Sequence, residues 1–388
     1  MTLAPKILIL SCHGGGGHMS AATALEQYLS EHYCVQTIDF VGTTLAPYDP
    51  LYIITRTYTG QDIYNALLQR NAKRITNFFY RLGLWLVNLK RKTLERAVTN
   101  HIAQYQPDMV ISVIPIINDM IINSCKELGI KCVVVPTDFD TSTFISHLPP
   151  IQPHNTRICI SMDYALITER IPDSICKDAL TVTGFPIRPT FFMPRNKAML
   201  KKQYGISHAV PVVLLVMGAA GSQHILRYLR ELSTLSVACH LIICIGRATA
   251  LKSKIHRLYM PYHITYTIID HKHNIADYMA LADLCITKPG SVTFAEIIYM
   301  KIPVLLDKTD VPLLWEKLNL ELVQSFQIGE CINHTRDIAP MVASYLTDQS
   351  KIIACRHALD QIKKEDFGRN IHLLVAAMLS SGPQTIPE

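Results

Sequence analysis

Residues 283–306, DLCITKPGSVTFAEIIYMKIPVLL, read as strand, glycine turn, helix and strand. Leu284–Thr287 is a short apolar run, and Pro289 and Gly290 break it. Ser291 stands where an N-cap belongs, so a helix is expected from Val292 to about Tyr299. Lys301, Ile302 and Pro303 stop that helix, and 304–306 start the next strand. A parallel sheet places such a turn at the carboxyl edge of its strands, where ligands bind. Free backbone N–H groups over 291–293 and the positive end of the helix dipole suit an anion there. Lys288 adds a full charge beside them, and Glu296 lies about a turn further on, on the same face as Thr293. A carboxylate at that depth accepts bonds from two adjacent hydroxyls, as on a ribose. The plainer alternative is a buried turn with a helix cap.

Working outward, the same strand, glycine turn and helix recur. Lys6–Ser11 is an apolar strand, followed by His13, four glycines and His18, then an alanine-rich helix from about Met19. The glycines, Gly15, Gly16 and Gly17 among them, let the backbone approach a ligand closely. No Gly-Lys-Ser/Thr follows, and Ser20 stands where a dinucleotide fingerprint has its third glycine, so neither nucleotide motif is present. A histidine at a helix start either caps and packs or acts chemically. The dipole of that helix start disfavours the imidazolium form of His18. Strand 211–217 runs into a second glycine loop with Gly218 and Gly221, and 241–245 ends on Gly246 and Arg247. Further strands are expected over 34–40, 108–114, 131–136, 156–160, 180–183 and 264–269, with helices over 337–378. Strands alternating with helices in two runs imply an α/β protein of two doubly wound halves.

The chain has 388 residues, enough for two or three domains, and about half of them are hydrophobic. A net charge of +6 suits an anionic lipid or nucleotide partner. No apolar run reaches the roughly 18–20 residues that span a bilayer, and the apolar run 7–10 is too short for a signal peptide. Eleven cysteines, an odd number without Cys-x-x-Cys, read as small buried residues in a reducing cytosol. Residues 52–98 are helical in pattern and interleave Arg56, Arg70, Lys73, Arg74, Arg81 and 90–92 with Phe78, Leu82, Trp85 and Leu89. That mixture rests a helix on an anionic membrane, or is the solvated basic face of ordinary helices.

Thr-Lys-Pro-Gly-Ser-x-Thr-x-x-Glu over 287–296 resembles the donor-site motif of the monogalactosyldiacylglycerol synthases and processive diacylglycerol glucosyltransferases. The peptidoglycan N-acetylglucosaminyltransferase that makes a lipid-linked disaccharide is a more distant likeness. Further matches are the glycine loop ending at His18, the Gly-x-Pro-x-Arg run at 184–188 and Glu-x-x-Asn at 316–319. The chain departs at Ser291, where Gly or Pro is usual, and at Trp315, which replaces Gln. The family's His-x-x-Trp is absent, with only His147 nearby.

The resemblance implies a GT-B fold, two Rossmann-like domains facing across a cleft. Residues 1–186 would be the acceptor and membrane side, 187–355 the UDP-sugar domain, and 356–388 a helix packing back on the first domain plus a frayed tail. It implies an inverting transfer of a hexose from a UDP-sugar to a lipid hydroxyl, most plainly that of diacylglycerol. His18 would be the base, with Asp138 facing the cleft. Gly218, Gly221, Arg247, Lys288, Gly290, Ser291, Thr293, Glu296, Glu316 and Asn319 would hold the donor. Arg188 either reaches a diphosphate or ties the halves together. Asp138 and Asp140 form Asp-x-Asp, but metal-bound Asp-x-Asp belongs to a different topology. No metal or cofactor is expected, since fixed dipoles and cations take the leaving-group charge. No nucleic-acid partner is expected, and the protein is placed in the cytoplasm, peripheral on the cytoplasmic face of a membrane. Two rivals remain: a UDP-sugar epimerase of the same architecture, and a degenerate relative that only binds lipid or nucleotide.

Overall fold

The computed structural model describes residues 4–380 apart from Gly15, Asn71, Ala220 and Lys272. The chain forms two compact units. The first comprises residues up to Tyr64, 78–189 and 364 onward; the second comprises 65–77 and 190–363. The crossing therefore follows Pro189. The helices Ile338–Thr347 and Gln349–Gln361 lie in the second unit, and the chain from Lys364 on lies in the first.

The first unit is built on a six-stranded parallel sheet of β1 (Lys6–Ser11), β2 (Cys34–Asp39), β3 (Met109–Ser112), β4 (Lys131–Val134), β5 (Thr156–Ile160) and β6 (Leu180–Val182), in the order β2-β1-β3-β4-β5-β6. Successive side chains leave a strand on opposite faces. Leu8, Leu10, Val110 and Val134 accordingly pack with Val98, Ile102, Met120 and Ile121 on one side. Ile7, Ile9, Ile111 and Val133 pack with Leu25, Leu29, Phe367 and Ile371 on the other. Both faces are covered over β1, β3 and β4, which is why those inner strands read as apolar runs. The helix Phe367–Ser380 reaches this core through Gly368, where a Cβ would stand 2.2 Å from the Tyr28 ring. Tyr28 in turn donates to the Ile187 carbonyl at 3.2 Å, so this contact anchors the link out of the unit.

The second unit repeats the plan with β7 (Val212–Val216), β8 (Cys239–Cys244), β9 (Ile264–Ile269), β10 (Leu284–Thr287), β11 (Val304–Asp307) and β12 (Gly329–Ile332), in the order β12-β11-β10-β7-β8-β9, all parallel. Asp283, just before β10, accepts from the Val212 N–H at 3.0 Å and pairs with Lys197 at 2.6 Å and Arg356 at 3.2 Å. Burial pushes its carboxyl up, but Lys197, the Val212 N–H and Arg356 outweigh that and hold it below its ordinary value.

Two expectations change. Ser291 is not a cap: the helix Ser291–Met300 starts on it and Gly290 precedes it without a side-chain cap. The stretch 52–98 is four helices, Pro50–Thr55, Gly60–Gln69, Lys73–Leu89 and Arg91–Tyr105.

Candidate functional site

In each sheet the strand order reverses beside the first strand of the unit, between β1 and β3 and between β7 and β10. Crevices at such reversals are where open α/β sheets bind ligands. The glycine loops lie beyond those strand ends.

In the first unit, β1 gives way to the helix Gly17–Leu29, preceded by Gly16 at φ 97°, a left-handed conformation that favours glycine. Gly17 opens the helix, and Gly15 lies outside the described residues. His18 then meets the end of β3, with Nδ1 2.8 Å from the Val113 carbonyl oxygen and 3.0 Å from Thr137 Oγ1. A carbonyl only accepts, so Nδ1 carries the proton and Nε2 keeps its lone pair. Burial holds the imidazole below its ordinary value of 6.5, against the charge of Asp138 and the Val113 carbonyl, which pull it up. Burial, rather than the helix dipole expected from the sequence, is the leading cause. The ring packs near Phe144, 6.2 Å between centroids.

Asp138 and Asp140 part company. Asp138 is partly exposed and acts electrostatically on His18. Asp140 is buried, caps the Ser142 N–H at 3.1 Å and pairs with Arg170 at 3.4 Å. Tyr80, missed by sequence reasoning, reaches the same corner: burial first, then Asp138 and Asp140, push its phenol up to about 12. No local signal in the sequence marks Tyr80 or Thr137. His13 pairs with Asp39 at 3.7 Å, His147 is exposed, and Arg188 is partly buried in the first unit.

In the second unit, Gly218 follows β7 at φ 82° and Lys288 follows β10, on strands paired Val216 to Thr287. A Cβ on Gly218 would lie 2.8 Å from Lys288 Cε, so the lysine stem runs over that glycine. Gly290 is looser, with the same atom at 3.3 Å. Gly221, at φ 74°, presses on the end of β8: a Cβ there would stand 2.3 Å from the Ile245 carbonyl oxygen. Arg247 donates its backbone N–H to the Ala219 carbonyl at 3.0 Å and exposes its side chain. Lys288 Nζ lies 3.7 Å from Glu316 Oε1, and Glu316 Oε2 accepts from the Leu313 N–H at 3.3 Å.

Asn319 is fully buried and donates both amide hydrogens to the turn, to the Pro289 carbonyl at 2.8 Å and Ser291 Oγ at 3.0 Å. Asn319 and Ser291 thus shape the Pro289–Gly290 turn that presents Lys288. Thr293 is half-buried at the start of its helix, and Glu296, 5% exposed, lies one turn in. Its charge raises the thiols of Cys244, the last residue of β8, and Cys285, within β10, after their own burial does. The arrangement offers a cation over the glycine loop, helix-start amides after it and a buried carboxylate one turn into that helix. Those are the groups a nucleoside diphosphate needs.

Residues 212–306 match the glycosyltransferase family 28 C-terminal domain. The whole chain is similar to the processive diacylglycerol β-glucosyltransferase of Bacillus pumilus (strain SAFR-032), 25% identical over 94% of this chain and 93% of that protein. It is similar also to the enzyme of the same name from Bacillus mycoides (strain KBAB4), 24% identical over 99% and 96%. Among solved structures, Acinetobacter baumannii MurG superposes with a TM-score of 0.59 at 11% identity, covering 96% of this chain and 99% of that one. The spinosyn rhamnosyltransferase SpnG gives 0.58 at 11% identity, covering 96% and 100%. The fold is GT-B, and the chain is a glycosyltransferase.

Proposed function

We propose that this glycosyltransferase moves a hexose from a UDP-sugar to the free hydroxyl of diacylglycerol, with inversion, at an anionic membrane surface. The observation that carries the reading is His18, whose Nδ1 proton is committed to the Val113 carbonyl while burial keeps the ring neutral. Its Nε2 lone pair takes the proton of the acceptor hydroxyl, and Asp138 stabilises the imidazolium that forms. The acceptor oxygen attacks the anomeric carbon as the bond to the UDP oxygen breaks, so one displacement inverts the centre. The charge arriving on UDP is met by Lys288 and the amides that open the Ser291–Met300 helix. Glu296 takes the ribose hydroxyls. UDP-sugar is a substrate here, and no step runs through a metal or cofactor.

The acceptor class is supported by the two diacylglycerol-acting relatives and by the helix Lys73–Leu89. Ile75, Phe78, Leu82, Trp85 and Leu89 form one outward row on it, and Trp85 is 59% exposed. Arg74 and Arg81 are exposed beside that row. Between Asp62 and Glu95 the sequence has no acidic residue. An exposed apolar row flanked along its helix by Arg74 and Arg81 suits an anionic lipid interface. Among the described residues no helix is long and apolar enough to cross a membrane, so the proposed attachment is peripheral.

The test is incubation with several radiolabelled UDP-hexoses and diacylglycerol-containing vesicles. Label in lipid supports the reading. An isomerised UDP-sugar with unlabelled lipid would make the protein an epimerase, and UDP binding without turnover would make it a degenerate binder.

A further inference from the structure

Two adjacent strands of the first sheet end at His18. β3 and β4 pair up to Ser112 and Val134, and the Val135 N–H donates to the Ser112 carbonyl at 2.8 Å. The residues just beyond the two strands are therefore held at a fixed spacing. Val113 follows β3 at once, and Thr137 lies a few residues past β4. Val113 offers its carbonyl to His18 Nδ1 at 2.8 Å, and Thr137 its hydroxyl at 3.0 Å. The first contact fixes the proton on Nδ1, because a carbonyl only accepts. Thr137 Oγ1 then meets the same N–H as a second acceptor. Thr137 is 3% exposed, and among the described residues its hydroxyl makes no other hydrogen bond. A buried hydroxyl left without a partner costs free energy, and the partner of this one is the imidazole.

Several groups surround the ring. Asp138 acts on it by charge, and Phe144 packs 6.2 Å away between centroids. A Cβ on Gly14 would stand 3.9 Å from His18 Cδ2, 3.7 Å from Cys12 Sγ and 3.8 Å from Tyr64 Cε1. Burial pushes the Cys12 thiol up to about 12, so it is neutral. Tyr80, raised by burial and then by Asp138 and Asp140, is neutral as well. When Nε2 takes the acceptor's proton, the Nδ1–H becomes a charged donor. Hydrogen bonds from charged donors are the stronger ones, so a second acceptor at Nδ1 matters most as the proton arrives. We propose that Thr137 is a positioning residue for His18: its hydroxyl, together with the Val113 carbonyl, holds the ring with Nε2 open and stabilises the imidazolium that forms. The proton moves from the acceptor oxygen to Nε2, and Thr137 keeps its own. The inference rests on the reading of His18 as the base.

The experiment compares Thr137→Val, which keeps the shape and removes the hydroxyl, with Thr137→Ser, which keeps the hydroxyl. Turnover of the full chain is followed against pH at saturating UDP-hexose and diacylglycerol, with UDP affinity measured by calorimetry. The titration of His18 is followed by nitrogen NMR of histidine-labelled protein, its signal identified by its loss in His18→Ala. Thr137→Val is expected to lose about tenfold or more in kcat, with KM for UDP-hexose and UDP affinity near wild type. Its rising pH limb and its His18 titration both move to lower pH, because the imidazolium has lost an acceptor. Thr137→Ser restores turnover and titration to near wild type. Wild-type turnover with an unmoved titration in Thr137→Val overturns the proposal. So does a Thr137→Ser as impaired as Thr137→Val, which would assign the loss to packing of the methyl group. If Thr137→Val does not fold, Thr137→Ala against Thr137→Ser decides on the same readings. The NMR titration needs no substrate, so it tests the contact even where transfer is absent. Wild-type turnover in His18→Ala is a different signature: the base reading then falls, and this inference with it.

Discussion

A histidine whose Nδ1 is tied to a main-chain carbonyl keeps one nitrogen for chemistry, and only while the ring is neutral. Burial lowers the pKa of His18 below 6.5, so turnover is expected to rise with pH through a value under 6.5 and to be flat by pH 7. The sign follows from the lone pair: below the pKa the imidazolium has none to offer. A rate profile in which turnover falls as pH rises from 5 to 7 contradicts it. At the donor side, a hydrogen bond to a charged group is worth roughly 1.5–3 kcal/mol. Glu296→Ala should therefore weaken UDP binding by about tenfold to a hundredfold with the fold intact. Unchanged affinity by calorimetry removes Glu296 from the site. Much at this scale was legible: the glycine runs point to His18 and Lys288 before any coordinates. The partners were not. Val113 and Thr137 meet His18 from 95 and 119 residues away, and nothing in local spacing announces them.

Elements sort the basic residues of 52–98 by task, which composition cannot do. Lys90 donates to the Tyr48 carbonyl at 3.2 Å, and Arg91 pairs with Asp119, whose side chain is 3% exposed. Arg74, Arg81 and Lys92 are exposed and free to face lipid. Each such charge near an anionic surface contributes on the order of 1 kcal/mol. Replacing Arg74 and Arg81 by Ser should release the protein from anionic vesicles in flotation, with its melting temperature unchanged. Flotation equal to wild type contradicts the surface role. Arg91→Ser should instead destabilise, by about 2–3 kcal/mol at pH 7, because it strands a buried carboxylate; the partial exposure of the guanidinium keeps the loss at the low end. Burial already raises the Asp119 carboxyl above its ordinary 3.8, against the pull of Arg91. A raised acid costs stability as pH rises through its folded value, so part of the Arg91→Ser loss should return as pH falls toward 4. Urea unfolding at pH 7 and pH 4.5 reads both effects, and a loss equal at the two pH values contradicts them. Strand β12 shows why one element escaped the sequence. Its residues Gly-Glu-Cys-Ile carry no apolar run, and its place comes from pairing with β11, where a Cβ on Gly329 would stand 1.8 Å from the Val304 carbonyl oxygen.

On the scale of the whole molecule, alternating strands and helices told most of the fold, because parallel strands covered on both faces must be apolar throughout. What they did not tell was membership. Residues 65–77 cluster with the second unit although they lie deep in the first half of the sequence, through Lys73, whose charge acts on Asp307, and Asn77, bonded to Pro312 and Leu314. Contacts at a separation of more than two hundred residues leave no periodic trace. The division also has a consequence for mechanism. The proposed base belongs to the first unit and the proposed donor groups to the second, so chemistry and UDP binding should separate under mutation. Positioned base catalysis typically contributes 10²–10⁴-fold. The most direct measurement compares transfer rates of wild type and His18→Ala at saturating UDP-hexose and diacylglycerol, with UDP affinity measured on both. A loss of about 10²–10⁴ in turnover with UDP affinity near wild type is the predicted result. Turnover near wild type in His18→Ala would contradict the account and move the base to Asp138.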